Sequence, residues 1–156
     1  MTALFAGSFD PFTVGHRSIV ERGLKLFDKI VVAIGYNEHK PGEWPVESRL
    51  KAIASLFAGN PRVEVTSFAG LTVDMARKCG ADALLRGVRS ISDFEYERNL
   101  ADTNREIAEL ETVFLLSEPQ FSFVSSSMVR ELMHNGYDVS KYIAGEFPIP
   151  PAKFES

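Results

Sequence analysis

Ile30-Val31-Val32-Ala33-Ile34 is an unbroken apolar run, rich in β-branched residues and free of polar residues at alternate positions. A strand wetted on one face alternates apolar with polar, whereas a strand covered on both faces reads as continuous hydrophobic sequence. Leu4-Phe5-Ala6, Val63-Glu64-Val65, Ala83-Leu84-Leu85 and Val113-Phe114-Leu115-Leu116 are further short strand-like runs. Between them the spacing turns helical: Ile19, Val20, Gly23, Leu24 and Phe27 form one apolar stripe, and Leu50, Ile53, Ala54 and Phe57 another. Alternating strand and helix with short connections implies right-handed crossovers. The predicted fold is α/β: a doubly wound, Rossmann-like, five-stranded parallel sheet with helices on both faces. In such sheets ligands bind at the carboxyl ends of the strands.

Local punctuation agrees with this reading. Pro45 can open the second helix, Gly80 can close the third, and Ser92 with Glu95 has capping-box spacing before the fourth. A further helix is expected after Ser125-Ser126-Ser127, and the tail around Pro148, Pro150 and Pro151 reads as a surface-hugging or frayed terminus. At 156 residues and 45% hydrophobic content the chain suits one core, so residues 1–156 are read as one domain.

Lys and Arg total 17 against 21 Asp and Glu, a net charge of -4 that draws in neither nucleic acid nor an anionic membrane. An anionic ligand must therefore meet a local basic site. Cys79 is the only cysteine, which excludes an internal disulfide and fits a reducing compartment, and its helix-like context reads as a buried small apolar role. The N-terminus has no basic start and meets Asp10 before a signal-length apolar run accumulates, and no stretch reaches membrane-spanning length. A cytoplasmic location is expected.

Three clusters fall at the predicted carboxyl edge. The first strand runs into Gly7-Ser8-Phe9-Asp10-Pro11-Phe12-Thr13-Val14-Gly15-His16, which delivers His16 to a helix start. Free N–H groups and the positive dipole there, with the amides near Ser8 and Phe9, suit phosphate oxygens. Arg86-Gly87-Val88-Arg89 follows the fourth strand with two permanently charged forks that match phosphate geometry. Asp93-Phe94-Glu95-Tyr96-Glu97 then opens a helix, where early acids suit the dipole and Glu97 can reach nucleotide hydroxyls. Phe121-Ser122-Phe123-Val124-Ser125-Ser126-Ser127-Met128-Val129-Arg130 offers hydroxyls and a second helix start after the fifth strand. Each cluster alone is ordinary capping, turn or surface chemistry; three at one edge point to a triphosphate. Lys40, in Asn37-Glu38-His39-Lys40-Pro41-Gly42, is a loop cation within reach of the same edge.

Other chemistries are disfavoured. No Gly-Lys-Ser/Thr follows the first loop and the three-glycine dinucleotide fingerprint is missing. No Cys or His grouping has zinc spacing, so no protein-held metal is expected, and no serine stands in a nucleophile elbow.

Gly7-Ser8-Phe9-Asp10-Pro11 with Thr13-Val14-Gly15-His16 resembles the signature of the nucleotidyltransferases with a His-x-Gly-His motif, Thr13 standing in place of the first histidine. Arg86-Gly87-Val88-Arg89 followed by Asp93-Phe94-Glu95-Tyr96-Glu97 resembles a segment of the phosphopantetheine adenylyltransferases in particular, and the likeness spans nearly the whole chain. Ser8 stands where many relatives have threonine, which keeps the hydroxyl, and the loop proline follows Lys40 rather than preceding it.

The resemblance implies transfer of AMP from ATP to 4′-phosphopantetheine, by direct in-line attack, giving 3′-dephospho-coenzyme A and pyrophosphate. It implies catalytic roles for His16, Lys40 and Arg89. ATP would contact Ser8, Phe9, His16, Gly87, Val88, Arg89, Glu97 and Phe121, Ser122, Phe123, Val124, Ser125, Ser126 and Ser127, while Ser8, Lys40, Thr72 and Arg86 would hold phosphopantetheine. Mg²⁺ would accompany ATP, and the chain would assemble as a homohexamer. The central Arg86 to Glu97 segment argues against a superfamily member using nicotinamide mononucleotide or glycerol 3-phosphate, and His16 with both arginines argues against a mere nucleotide-binding module.

Overall fold

A computed structural model describes residues 1–154. Five strands alternate with helices: β1 (Thr2–Gly7), α1 (Val14–Gly23), β2 (Lys29–Gly35), α2 (Val46–Leu56), β3 (Val63–Phe68), α3 (Thr72–Cys79), β4 (Ala83–Val88), α4 (Ile91–Ala108), β5 (Glu111–Leu116) and α5 (Ser126–His134). All pairings are parallel and the strand order is β3-β2-β1-β4-β5. The doubly wound sheet read from the apolar runs is the fold of the protein.

Helices cover both faces. On one, residues of α1, α2 and α5 such as Ile19, Val20, Ile53 and Val129 pack against Phe5, Ile30, Val32, Ile34 and Leu85. On the other, Val73, Met75 and Ala76 of α3 pack against Leu4, Ala6, Val31, Ala33 and Leu84. Ile30 to Ile34 are fully buried because both layers press on them, which is why that run never alternates.

The order reverses at β1, whose neighbours lead in opposite directions through the chain, and here the ladder is incomplete. β1 pairs with β2 from Thr2 to Gly7, but with β4 only at Ala3↔Ala83 and Leu4↔Leu84. Beyond Leu4 and Leu84 the central strands splay, opening a crevice at their carboxyl ends. Arg86 Nη1 donates to the Ala6 carbonyl that lacks a backbone partner there.

Several local readings need adjustment. Pro45 does cap α2, and Gly80 closes α3 in the left-handed conformation with φ 67°. The cap of α4 is Ser90, whose hydroxyl accepts from Asp93 N at 3.2 Å; Ser92 lies inside the helix. Of the α2 stripe, Ile53 and Phe57 lie in the core and Leu50 packs against it, but Ala54 faces outward and Arg49 and Ala52 are buried instead. Cys79 is half-buried, and its thiol donates to the Ala76 carbonyl. The tail is docked rather than frayed: Phe147 is buried, Trp44 Nε1 donates to Pro148 O at 2.8 Å, and Phe154 N donates to Gly136 O at 3.0 Å.

Candidate active site

The loop after β1 makes the crevice. Phe9 takes a left-handed φ of 47°, a conformation rare for a residue with a side chain and enriched where function constrains the backbone. The turn drives Phe9 and Phe12 into the core and stacks them around His16, at ring-centre distances of 5.0 and 5.3 Å, with Phe5 at 6.1 Å. Thr13 caps α1 in a capping box whose fourth member is His16: Thr13 N donates to His16 Nδ1 at 3.0 Å, and Thr13 Oγ1 accepts from His16 N at 3.3 Å.

That capping box sets the chemistry of the ring. Nδ1 is an acceptor, so the proton of the neutral imidazole sits on Nε2. Burial among the three phenylalanines, then the charges of Arg86 and Arg89, push the His16 pKa down to about 3. His16 is therefore a neutral donor at physiological pH.

Arg86 and Glu97 form the wall of the crevice. Arg86 Nε and Nη2 donate to the two Glu97 oxygens at 2.8 and 2.7 Å, a bidentate pair with Glu97 almost completely buried. Burial opposes the charged guanidinium, but the Glu97 bonds outweigh it and hold its pKa above the ordinary value. Gly87 lies within β4 against α1: a Cβ there would stand 3.1 Å from Ile19 Cγ1, so the missing side chain serves helix packing.

Two clefts meet at this wall. The first, about 310 Å³, is lined by Ser8, Phe9, His16, Gly87, Arg89, Glu97, Phe121, Val124 and Ser125 to Ser127. The second, about 640 Å³, takes in Ser8, Lys40, Thr72 and Arg86, and runs along α4 past Leu100, Asn104 and Ile107. Ala6, Gly7, Ser8, Arg86 and Glu97 belong to both.

Of the residues expected to contact ATP, Val88, Ser122 and Phe123 lie outside the first cleft. Val88 is a buried residue of β4, because the strand continues through the arginine motif instead of ending before it. Ser122 Oγ donates to Pro119 O at 3.0 Å, and Phe123 packs edge-on against Tyr142 at 5.8 Å. The serine run is also partly committed: Ser125 caps α5 by accepting from Met128 N at 3.1 Å, and Ser126 Oγ donates to Pro11 O at 2.8 Å.

Other residues of the clefts were given no role from sequence. Arg130 lines the first cleft and donates to Asp10 O at 2.6 Å; its place one helical turn after the serine run was a usable signal. Asp10 accepts from Glu43 N at 2.7 Å and Trp44 N at 3.0 Å, tying the Lys40 loop to the loop after β1. Arg49 donates from Nη1 to Ser8 O at 2.7 Å, and nothing in a helical arginine announces that contact.

Residues 4–132 match the family model described as cytidylyltransferase-like. A curated phosphopantetheine adenylyltransferase from Porphyromonas gingivalis is 52% identical over 93% of this chain and 95% of its own length. Another from Synechococcus elongatus is 46% identical over 92% of this chain and 87% of its own. The chain belongs to the phosphopantetheine adenylyltransferases. Among solved structures, a bifunctional NMN adenylyltransferase/ADP ribose pyrophosphatase from Francisella tularensis matches with a TM-score of 0.68 at 19% identity, over 94% of this chain and 46% of that one. At that identity the match speaks for the fold alone. No helix among the described residues is long and apolar enough to cross a membrane.

Proposed function

We propose that this chain transfers the adenylyl group of ATP to 4′-phosphopantetheine, giving 3′-dephospho-coenzyme A and pyrophosphate. The observation that carries the reading is the junction of the two clefts at Ala6 to Ser8, Arg86 and Glu97. ATP takes the first cleft, which is polar and cationic, with His16, Arg89 and Arg130 among its lining. The acceptor takes the second, which is longer and more apolar and suits a flexible arm carried on a phosphate. Relatives named phosphopantetheine adenylyltransferase at 46–52% identity support the activity.

The acceptor phosphate attacks the α-phosphorus in line, and a P–O bond to that phosphorus forms as the bond to pyrophosphate breaks. Such chemistry depends on positioning and on stabilising developing charge, so it needs no covalent enzyme intermediate. The neutral His16 donates from Nε2 to the transferring phosphoryl group, and Arg89 and the N-terminus of α5 stabilise the polyphosphate. Lys40, exposed on its loop, neutralises the attacking phosphate.

Mg²⁺ would arrive with the triphosphate, whose oxygens ordinarily hold it, and would supply charge neutralisation there. Self-association, as in the expected homohexamer, is supported by α4, whose Ile91, Phe94 and Tyr96 are exposed over a helix that buries only Glu97. A cytoplasmic location rests on the lone cysteine and the family.

The test is pyrophosphate release with ATP and magnesium, offering 4′-phosphopantetheine, nicotinamide mononucleotide and glycerol 3-phosphate separately. Release only with 4′-phosphopantetheine is expected; release with another acceptor, or with none, overturns the reading.

A further inference from the structure

Arg49 is a charged residue on the inward stripe of α2, 4% exposed, and two of its nitrogens are pinned: Nε donates to Trp44 O at 2.9 Å and Nη1 to Ser8 O at 2.7 Å. Its ion pair with Asp10 is held at Nε, 3.9 Å from Oδ1. Nη2 has no hydrogen-bond partner among the described residues. Nor is it sealed, because Thr112 Oγ1 is the one fully buried, unpartnered side-chain polar atom among them. An unpartnered Nη2 is therefore open, and Arg49 lines the second cleft together with Ser8, Lys40 and Gly42.

Gly42 packs closely against the Asp10 carboxylate and beside that nitrogen. A Cβ at this position would stand 3.2 Å from Nη2 and 2.4 Å from Asp10 Oδ2. Asp10 in turn is committed to Glu43 N and Trp44 N, so its charge is spread over backbone donors instead of facing the cleft alone. A guanidinium fixed at two nitrogens and free at the third is preorganised for an anion, since little side-chain freedom remains to be lost on binding.

We propose that Arg49 is a phosphate ligand of the second cleft: Nη2 binds the phosphomonoester of the acceptor beside Ser8 and Lys40. The inference rests on the reading of this cleft as the acceptor site, and adds a second guanidinium to the Arg86 expected from sequence. Because Nη1 holds the Ser8 carbonyl, Arg49 also fixes the first loop against the phosphate it binds.

Calorimetric titration of the full chain with 4′-phosphopantetheine and with pantetheine separates the phosphate from the arm. The wild type is expected to prefer the phosphorylated compound. Arg49→Lys, which keeps the charge but not the fork, is expected to cut that preference at least about tenfold while pantetheine binds within about twofold of wild type. Arg49→Gln, which keeps an amide donor for the Trp44 or Ser8 carbonyl but removes the charge, is expected to move the preference the same way, and decides the matter if Arg49→Lys fails to fold. Variants that retain the full preference, or that weaken pantetheine and ATP equally, overturn the phosphate role. A wild type that does not distinguish the two compounds overturns the acceptor reading itself.

Discussion

The two clefts are built from different kinds of sequence. The first draws most of its polar groups from three contiguous motifs at or beyond the carboxyl ends of strands: Ser8 to His16, Gly87 to Arg89, and Phe121 to Arg130. The second is gathered from the Lys40 loop, the start of α3, and positions spread along α4 from Glu97 to Ile107. A polyphosphate is recognised by helix starts and strand ends, which a short motif can specify. A long arm needs a groove, which only packed elements can form.

The largest test of this contrast is His16→Ala. Loss of one preorganised donor to a developing charge is expected to lower kcat about 10²- to 10³-fold. Affinity for ATP, measured by titration, should change by less than about threefold, because the contact strengthens only at the transition state. Equal losses in both would move His16 to ground-state binding.

Glu97 is the partner that serves both clefts. Glu97→Ala leaves the half-buried Arg86 without its bidentate carboxylate, and is expected to cost about 3 kcal/mol of stability by urea denaturation. Affinity for both substrates should fall together; a loss confined to one would show that the clefts are independent.

Lys40→Ala should touch one side alone. A loss of about tenfold in kcat/KM for the acceptor is expected, with ATP affinity and the urea midpoint unchanged, as befits an exposed loop residue. A matching loss in ATP affinity would merge the two sites.

A further effect is on the pH dependence of stability. His16 is held neutral down to about 3 in the folded chain but takes a proton near 6.5 when unfolded. Between those values the unfolded state binds more protons, so this contribution to stability is complete above pH 6.5 and falls away toward pH 3. His16→Gln should flatten that part of the stability profile, read as urea midpoints from pH 4 to 7. An unchanged slope would mean that His16 titrates normally in the native state.

Much of the first cleft was legible because its residue types are unusual where they stand. A histidine in a turn-rich loop and an arginine pair after an apolar run are odd enough to mark a site. The errors there turn on local geometry that residue type does not carry. Val88 follows Gly87 in the chain yet turns away, because β4 continues to that residue. Ser92 has the right spacing for a cap, but Ser90 has the extended φ of -150° that a cap requires.

Arg49 marks the opposite failure. A charged residue on a helix reads as solvated, so the stripe was drawn through Ala54, whereas the buried position is filled by a guanidinium satisfied by the Trp44 and Ser8 carbonyls. Those acceptors lie in separate loops, and no periodicity connects them.

The parallel α/β architecture was written in the sequence, through apolar runs that can be buried only between two helical layers, and so was most of the lining of the first cleft, through motifs near strand ends and helix starts. Tertiary structure alone decided the strand order, the splaying of β1 from β4, the Arg86–Glu97 wall and the second cleft. The reason is physical: burial patterns and caps are satisfied within a few residues of chain, whereas a crevice exists only where elements remote in sequence stop touching.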